Sequence, residues 1–198
     1  MEKTKKKAIL EWVLAAVLIF FVVKDSAYIN YYHLSPVEAH EQSERTYHYG
    51  PSEIVEDIDL GDAHIYLAKY KDWFSANTVN RHAGIFWSPG SSVAGRKIKQ
   101  NQDISHSWSG TASNEDEMRM KFYGIVTNPN ITEVELDVVE DYDRMQKVNE
   151  DDIQTYSKEL KEHRMFLFHW IGENHDYKWI EIRGLDENGK VVYEESLD

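Results

Sequence analysis

The sequence predicts a mainly β or β-rich α+β domain, an antiparallel sandwich-like fold with one or two accessory helices, preceded by a single N-terminal transmembrane helix. Three observations predict this class. Short segments alternate apolar and polar residues with a period of two, as in residues 134–138. Turn-forming residues separate these segments. One apolar run, residues 8–23, follows a cluster of lysines.

The apolar run reads AILEWVLAAVLIFFVV, and Glu11 is its one charged residue. Sixteen helical residues span about 24 Å, slightly less than the ~30 Å hydrocarbon core of a bilayer. Lys7 and Lys24 flank the run, and their long side chains can reach the headgroups on either side. Four lysines precede the run, so we expect a single-pass protein of the cell membrane with a cytoplasmic N-terminus.

The alternative interpretation is a signal peptide that is cleaved, which would make the protein secreted. Ala27 suits the last position before a cleavage site, but Asp25 then falls where a small residue is preferred. This favours the uncleaved anchor. Both interpretations place the C-terminal domain outside the cytoplasm. The predicted parts are a cytoplasmic basic tail (1–7), a transmembrane signal anchor (8–24), a juxtamembrane spacer (25–34) and an extracytoplasmic β-rich domain (35–198).

Two helices are expected in the domain. Ser35, Pro36 and Glu38 predict a capping box that opens the first helix, and Gly50-Pro51 ends it. Residues 150–164 predict the second, because acids crowd its first turn, cations come later, and an apolar stripe recurs at helical spacing. That stripe comprises Ile153, Tyr156 and Leu160.

The remaining segments predict strands. The run 165–171 is apolar on both faces, which predicts a central, covered strand. Segments 118–123 and 134–138 alternate, and Asn128-Pro129-Asn130 between them predicts a hairpin turn. A final hairpin is expected around Asn188-Gly189, with Gly189 at positive φ.

Composition excludes several classes of function. Residues 25–198 hold 33 acidic and 17 basic side chains, a balance that repels phosphate backbones and makes nucleic-acid binding improbable. The chain has no cysteine, which excludes disulfides, cysteine-based zinc sites and a thiol nucleophile. Residues 90–97 are glycine-flanked but lack the Lys-Ser/Thr order of a phosphate-binding loop, so we expect no nucleotide and no other cofactor.

A metal site is also not expected. His163, His169 and His175 are evenly spaced, but neither an H-x-H strand pair nor an H-E-x-x-H helix pair occurs. His169 lies in the apolar run, which predicts a hydrogen-bonded core histidine. Acids around Gly61 fail the spacing of a calcium loop and predict a solvated acidic turn, with a weak irregular calcium site as the alternative. They are Asp57, Asp59 and Asp62.

Three segments carry a resemblance to known proteins: WFSANTVNRHAGIFWSPGSSVAG (73–95), HSWSGTAS (106–113) and YGIVTNPNITEVEL (123–136). The chain resembles a group of uncharacterised small membrane-anchored or secreted proteins of Gram-positive bacilli. The resemblance implies an extracytoplasmic domain. It supplies neither an activity nor catalytic residues, because that group has none that is known.

We therefore expect a membrane-tethered extracytoplasmic binding or interaction module of unknown ligand, whose partner is a protein or a cell-envelope component. An alternative is an extracytoplasmic enzyme with a dispersed His/carboxylate site, such as a metal-assisted hydrolase, and a third is a subunit of a larger membrane complex. Segment 73–92 is the candidate binding region because arginine and large aromatics are enriched at binding hot spots. Alternatively, its aromatics fill the core. The candidate residues are Asn80, Arg81, His82 and Trp87.

Overall fold

The structure, a computed structural model, describes residues 2–24, 31–90, 95–112, 117–140, 142, 147–173 and 177–197. Two α-helices occur in this part of the chain, α1 (Glu2–Lys24) and α2 (Pro36–Thr46), with a 3-10 turn at Glu150–Asp152. All strand pairs are antiparallel, so the predicted mainly β, antiparallel class is confirmed. The strands are β1 (Glu53–Asp59), β2 (Ala63–Tyr70), β3 (Trp73–His82), β4 (Phe86–Pro89), β5 (Arg96–Lys97), β6 (Ile104–Ala112), β7 (Glu117–Val126), β8 (Glu133–Val139), β9 (Ile153–Glu159), β10 (Met165–Glu173), β11 (Lys178–Leu185) and β12 (Val191–Ser196).

The strands form three sheets. Sheet A has the order β1-β2-β3-β4, and β5 pairs with the other end of β3. Sheet B has the order β10-β7-β6, and sheet C has the order β12-β11-β8-β9. Helix α2 packs on β3 and β4, on the side of sheet A away from sheet B. The layers therefore follow the order α2, sheet A, sheet B, sheet C.

Sheet B is the middle layer, and alternate residues of its strands reach opposite neighbours. Phe122 and Phe166 pack against sheet C, whereas Tyr123 and Met165 pack against sheet A. This explains why β10 is apolar on both faces, as predicted for a covered strand. The strand is nevertheless an edge strand, because β7 occupies the centre of the sheet.

His169 corrects the prediction of a core histidine. The residues of β10 from Met165 to Phe168 are buried, but His169 and Ile171 are exposed. The two side chains follow Met165 and Leu167 on the side of β10 that faces sheet A, and the covered part of that side ends at Leu167. Sequence periodicity could not show where the neighbouring layer ends.

The predicted helix at 150–164 is wrong. Glu150–Asp152 forms one 3-10 turn, in which Asn149 N and Nδ2 donate to Asp152 Oδ2, and the chain then continues as β9. Seven consecutive residues of β9 pair with β8. Pairing with the open edge of β8 gives hydrogen-bond partners to the backbone groups that face β8 along all seven residues, and this tertiary contact overrides a weak helical preference.

The predicted hairpin at Asn128-Pro129-Asn130 is also wrong. Strand β7 before it belongs to sheet B and strand β8 after it belongs to sheet C, so the turn carries the chain between layers. The predicted final hairpin is confirmed, since β11 pairs with β12 and Gly189 has a φ of 76°. Asp186 stabilises that turn by accepting hydrogen bonds from the backbone N–H of Asn188 and Lys190.

Helix α2 begins at Pro36 as predicted, but Ser35 makes no side-chain cap hydrogen bond. Its buried face is largely polar and comprises Ala39, His40, Ser43 and Glu44. Val37 on this helix and Tyr47 at its end are exposed. The helix is therefore held to sheet A mainly by polar contacts.

Helix α1 is apolar on its surface. Large apolar side chains project from it on all sides and are exposed, including Leu10, Trp12, Leu14, Leu18 and Phe20. No helix in the described residues is long and apolar enough to cross a membrane.

Candidate binding site on sheet A

The residues predicted to bind a partner lie at the end of β3 and in β4. Arg81 and Trp87 are direct cross-strand neighbours, and the Arg81 guanidinium lies 5.6 Å from the centre of the Trp87 ring. Arg81 Nε donates to Gly84 O at 2.7 Å, which fixes the guanidinium over the indole. The two terminal nitrogens of Arg81 have no hydrogen-bond partner within the described residues. We call these two residues the Arg81–Trp87 pair.

Within the described residues no carboxylate contacts Arg81, in contrast to three other arginines of the domain. Arg45, Arg119 and Arg183 each contact at least one acidic side chain. A planar guanidinium held on an indole, with its outer nitrogens open, is pre-organised for a carboxylate or phosphate. Trp87 itself is almost fully buried and contacts His64, so its role in the pair is to support Arg81.

Asn80 and His82, the other two predicted residues, point to the opposite side of β3. Asn80 Oδ1 accepts a hydrogen bond from Arg119 at 3.3 Å, and His82 Nε2 is 2.8 Å from Ser88 Oγ. The four predicted residues therefore do not form one site. Arg81 and Trp87 lie on one side of sheet A, and Asn80 and His82 lie on the other. Asn80 is engaged with a buried arginine of sheet B and has a structural role.

The segment 31–34 extends this edge of sheet A. The backbone of His33 exchanges two hydrogen bonds with Trp87, both of 2.7 Å, in an antiparallel bridge. This register places Leu34 beside Phe86, and the ring of Tyr32 contacts those of His82 and Phe86. Ile85 follows at the tip of the β3–β4 hairpin, where Ala83 and Gly84 both have positive φ.

Four exposed side chains at this edge form what we call the apolar rim. Ile85 is 60% exposed and Leu34 is 74% exposed, and Tyr32 and Phe86 are also open to solvent. The rim lies on the His82 side of the strands and at the hairpin tip, whereas Arg81 and Trp87 face the α2 side. The sequence prediction missed the rim because half of it comes from the segment assigned as a spacer.

A groove of about 280 Å³ lies on the α2 side of the same edge. Tyr31 and Tyr47 line it together with polar residues of α2, and Tyr31 Oη donates to Pro89 O at 2.9 Å. Its aromatic and amide lining suits part of a peptide or sugar. The remaining lining residues are Gln42, Ser43, Thr46, Pro89 and Gly90.

Charge separates this edge from the rest of the domain. No acidic residue occurs in 26–37 or in 73–102, although residues 25–198 as a whole hold 33 acids. The outer face of sheet C is the opposite extreme, since six carboxylates lie on neighbouring strands there and three of them contact Arg183. The six residues are Glu133, Glu135, Asp137, Glu159, Glu181 and Glu194. The acid-free stretches were visible in the sequence and are the signal that could have located this edge.

A second polar cluster lies beneath α2. His40 Nε2 is 3.3 Å from both Ser52 Oγ and Glu44 Oε1, and Asn77 Nδ2 lies 2.7 Å from His40 Nδ1. Ser52 also donates to Glu44 through its hydroxyl and its backbone N–H. Gly50, at a φ of 102°, leaves room for the carboxylate, because a Cβ there would lie 2.4 Å from Glu44 Oε2.

This cluster has the residue types of a serine–histidine catalytic arrangement but not its protonation. Burial opposes ionisation of Glu44, yet hydrogen bonds from His40 and Ser52 outweigh burial and lower the pKa of the carboxyl. Asn77 Nδ2 donates to His40 Nδ1, so the ring proton lies on Nε2, and that nitrogen donates toward Glu44 rather than accepting the proton of Ser52. The cluster joins α2 to β3 and to the start of β1, which is a structural role.

The acidic turn at Gly61 is charge-paired rather than simply solvated. Asp57 Oδ1 is 2.6 Å from His64 Nδ1, and Asp62 pairs with the buried Arg119. Among the described residues, no group of three or more histidine and acidic side chains could hold a metal ion. His175 and residues 91–94 of the glycine-flanked segment lie outside the described residues.

The model of one protein family matches residues 35–197, a match that covers most of the chain. The chain belongs to the family "Domain of unknown function (DUF5044)". No curated protein and no solved structure matches the chain. The DUF5044 region contains the Arg81–Trp87 pair, the polar cluster under α2 and all three sheets. Helix α1 and the Tyr32 and Leu34 part of the apolar rim precede the matched region.

Proposed function

We propose that this DUF5044 protein is a membrane-tethered, extracytoplasmic module that binds an anionic group of a protein or cell-envelope partner through the Arg81–Trp87 pair. We assign the tether to helix α1, with its N-terminus in the cytoplasm. Its apolar run of residues 8–23 is shorter than the core of a bilayer, so this assignment requires Lys7 and Lys24 to reach the headgroups on either side. A helix that exposes apolar side chains all round requires an apolar environment, and the preceding lysines favour that orientation. If the segment is cleaved instead, the same domain is secreted.

The observation that carries the binding proposal is the geometry of Arg81. Its guanidinium is fixed by Gly84 O and Trp87, its outer nitrogens have no hydrogen-bond partner among the described residues, and it lies in a stretch without acids. A rigid arginine loses little conformational entropy when it binds a carboxylate or phosphate. The Tyr31–Tyr47 groove on the same side offers contacts for the rest of a partner.

The test is photo-crosslinking in intact cells with the full chain. A photo-reactive amino acid at Ala83, two residues from Arg81, should give a defined crosslinked product. Arg81→Ala should weaken formation of that product by at least about tenfold, because arginine anchors dominate such contacts. The melting temperature should change by no more than about two degrees, since an exposed side chain is removed.

The matched control is Arg96→Ala, which removes another exposed arginine from sheet A and should leave the product unchanged. Equal loss in both variants would indicate a general charge effect and contradict the site. Retention of the product in Arg81→Ala would remove the Arg81–Trp87 pair from consideration.

A further inference from the structure

We propose that the apolar rim rests on the surface of the membrane that holds α1, with Ile85 and Phe86 at the level of the lipid headgroups and upper acyl chains. This inference rests on the membrane tether of the proposed function, and it assigns a binding partner to a second surface, the apolar rim. The occupant is a lipid bilayer, and the Arg81–Trp87 pair on the other side of the strands stays available to a partner.

The first argument is the length of the connection. Six residues lie between Lys24, the end of α1, and Tyr31, where the described chain resumes. A chain of that length reaches at most about 25 Å even when fully extended. Tyr32 and Leu34 therefore stay within a short distance of the end of α1, and the same rim includes Phe86 and Ile85 through the bridge at His33.

The second argument is the chemistry of the rim. Exposed isoleucine, leucine and phenylalanine side chains are stabilised when they leave water, and a tyrosine places its ring in an apolar layer while its hydroxyl stays hydrated. Exposed neighbouring residues of this kind in a soluble domain indicate a contact surface. The hairpin turn projects Ile85 beyond the paired residues His82 and Phe86.

The third argument is the distribution of charge. A strongly acidic domain is repelled by anionic headgroups, and the acidic outer face of sheet C would be pushed away from the bilayer. The edge formed by residues 31–34 and 81–87 contains no acidic side chain, so it can approach the headgroups at the lowest electrostatic cost. The domain would thus orient with the rim toward the membrane and sheet C away from it.

The tether also makes a weak contact sufficient. Attachment of α1 to the same bilayer converts docking into an intramolecular step with a high effective concentration. Four partly exposed apolar side chains would hold a free domain poorly, but they are enough to bias the orientation of a domain that is already confined near the surface.

The experiment uses the full chain in vesicles of equimolar phosphatidylethanolamine and phosphatidylglycerol. The natural sequence has no cysteine, so Ile85→Cys and Leu34→Cys each provide one site for a nitroxide label. Asn188→Cys, in the exposed β11–β12 turn, is the control. Collision with oxygen, which concentrates in the bilayer, is compared with collision with a water-soluble nickel chelate.

The expected result is a ratio of oxygen to nickel collisions that is several-fold higher at positions 34 and 85 than at position 188. A chain that sediments with the vesicles but shows the same ratio at all three positions overturns the docking and leaves the tether intact. A chain that does not sediment overturns both. Labels that are water-accessible in pure lipid but shielded in native membranes would assign the rim to a protein partner and also overturn the docking.

Discussion

The space between sheets B and C and the space between sheets A and B are filled differently. Ten buried apolar side chains, among them Phe122, Phe166 and Leu136, fill the first. The second has an apolar part around Phe74 and a polar part that contains two cations of β7. The space between sheets B and C therefore supplies mainly hydrophobic stabilisation, whereas the space between sheets A and B combines hydrophobic burial with buried charge.

Lys121 and Arg119 are the cations in the second space. Lys121 is fully buried and donates to Ala76 O at 2.9 Å and to Thr78 Oγ1 at 2.6 Å. Burial lowers its pKa to about 7. Arg119 pairs with Asp62, whose carboxylate is mostly exposed. Both contacts cross from sheet B to sheet A, so they fix the position of β7 against β3 at a cost in stability.

The largest expected effect tests the apolar space. Phe122→Ala should lower the free energy of unfolding by about 3–5 kcal/mol, because it removes a buried ring and leaves a cavity beside Phe166 and Trp179. Urea unfolding measures it. Trp108 is the control, since it lies opposite Phe122 on β6 but is 55% exposed, and Trp108→Ala should cost far less. Equal losses would contradict the assignment of this space as the main source of stability.

The second prediction concerns Lys121. Its pKa is about 7 in the folded chain and ~10.5 when unfolded, so the unfolded chain binds more protons between these values. Stability should therefore rise as the pH increases from 7 to 9.5, by a few kcal/mol. The titratable neighbours on the same side of β7 are Arg119 and Tyr123.

Lys121→Met should remove most of this rise and should stabilise the fold at pH 7, because no charge is left to bury. Lys97→Met, which removes an exposed cation from β5, is the control and should keep the rise. Chemical denaturation at several pH values measures both variants. A wild-type stability that stays flat from pH 7 to 9.5 would show that Lys121 is solvated or paired in the fold.

The smallest expected effect concerns the exposed partner of Arg119. Asp62→Asn should lower the free energy of unfolding by about 1 kcal/mol, because the buried guanidinium keeps an acceptor but loses a charge. Asp59→Asn alters the same turn but faces His64, and it should cost less than about 0.5 kcal/mol. A larger loss of unfolding free energy for Asp59→Asn than for Asp62→Asn would contradict this prediction.

The sequence by itself determined the features that depend on local periodicity and turn chemistry. The alternation at 134–138 gave a strand with Val134, Leu136 and Val138 in the core, and the covered character of 165–168 followed from its two apolar faces. Gly189 adopted the positive φ that its turn requires. Arg81 and Trp87 are cross-strand neighbours, whereas Asn80 and His82 point to the other side of β3, and binding through this segment stays a prediction.

Only the tertiary structure decided which strands pair and where each layer ends. Residues 153–159 became β9 because the edge of β8 was open to them, which no local pattern records. Lys121 looks like a polar residue of an alternating strand, yet sheet A covers it. His169 lies in an apolar run, yet it is exposed because sheet A does not extend over it. Burial is set by residues distant in sequence, and so are the apolar rim and the buried charge between sheets A and B.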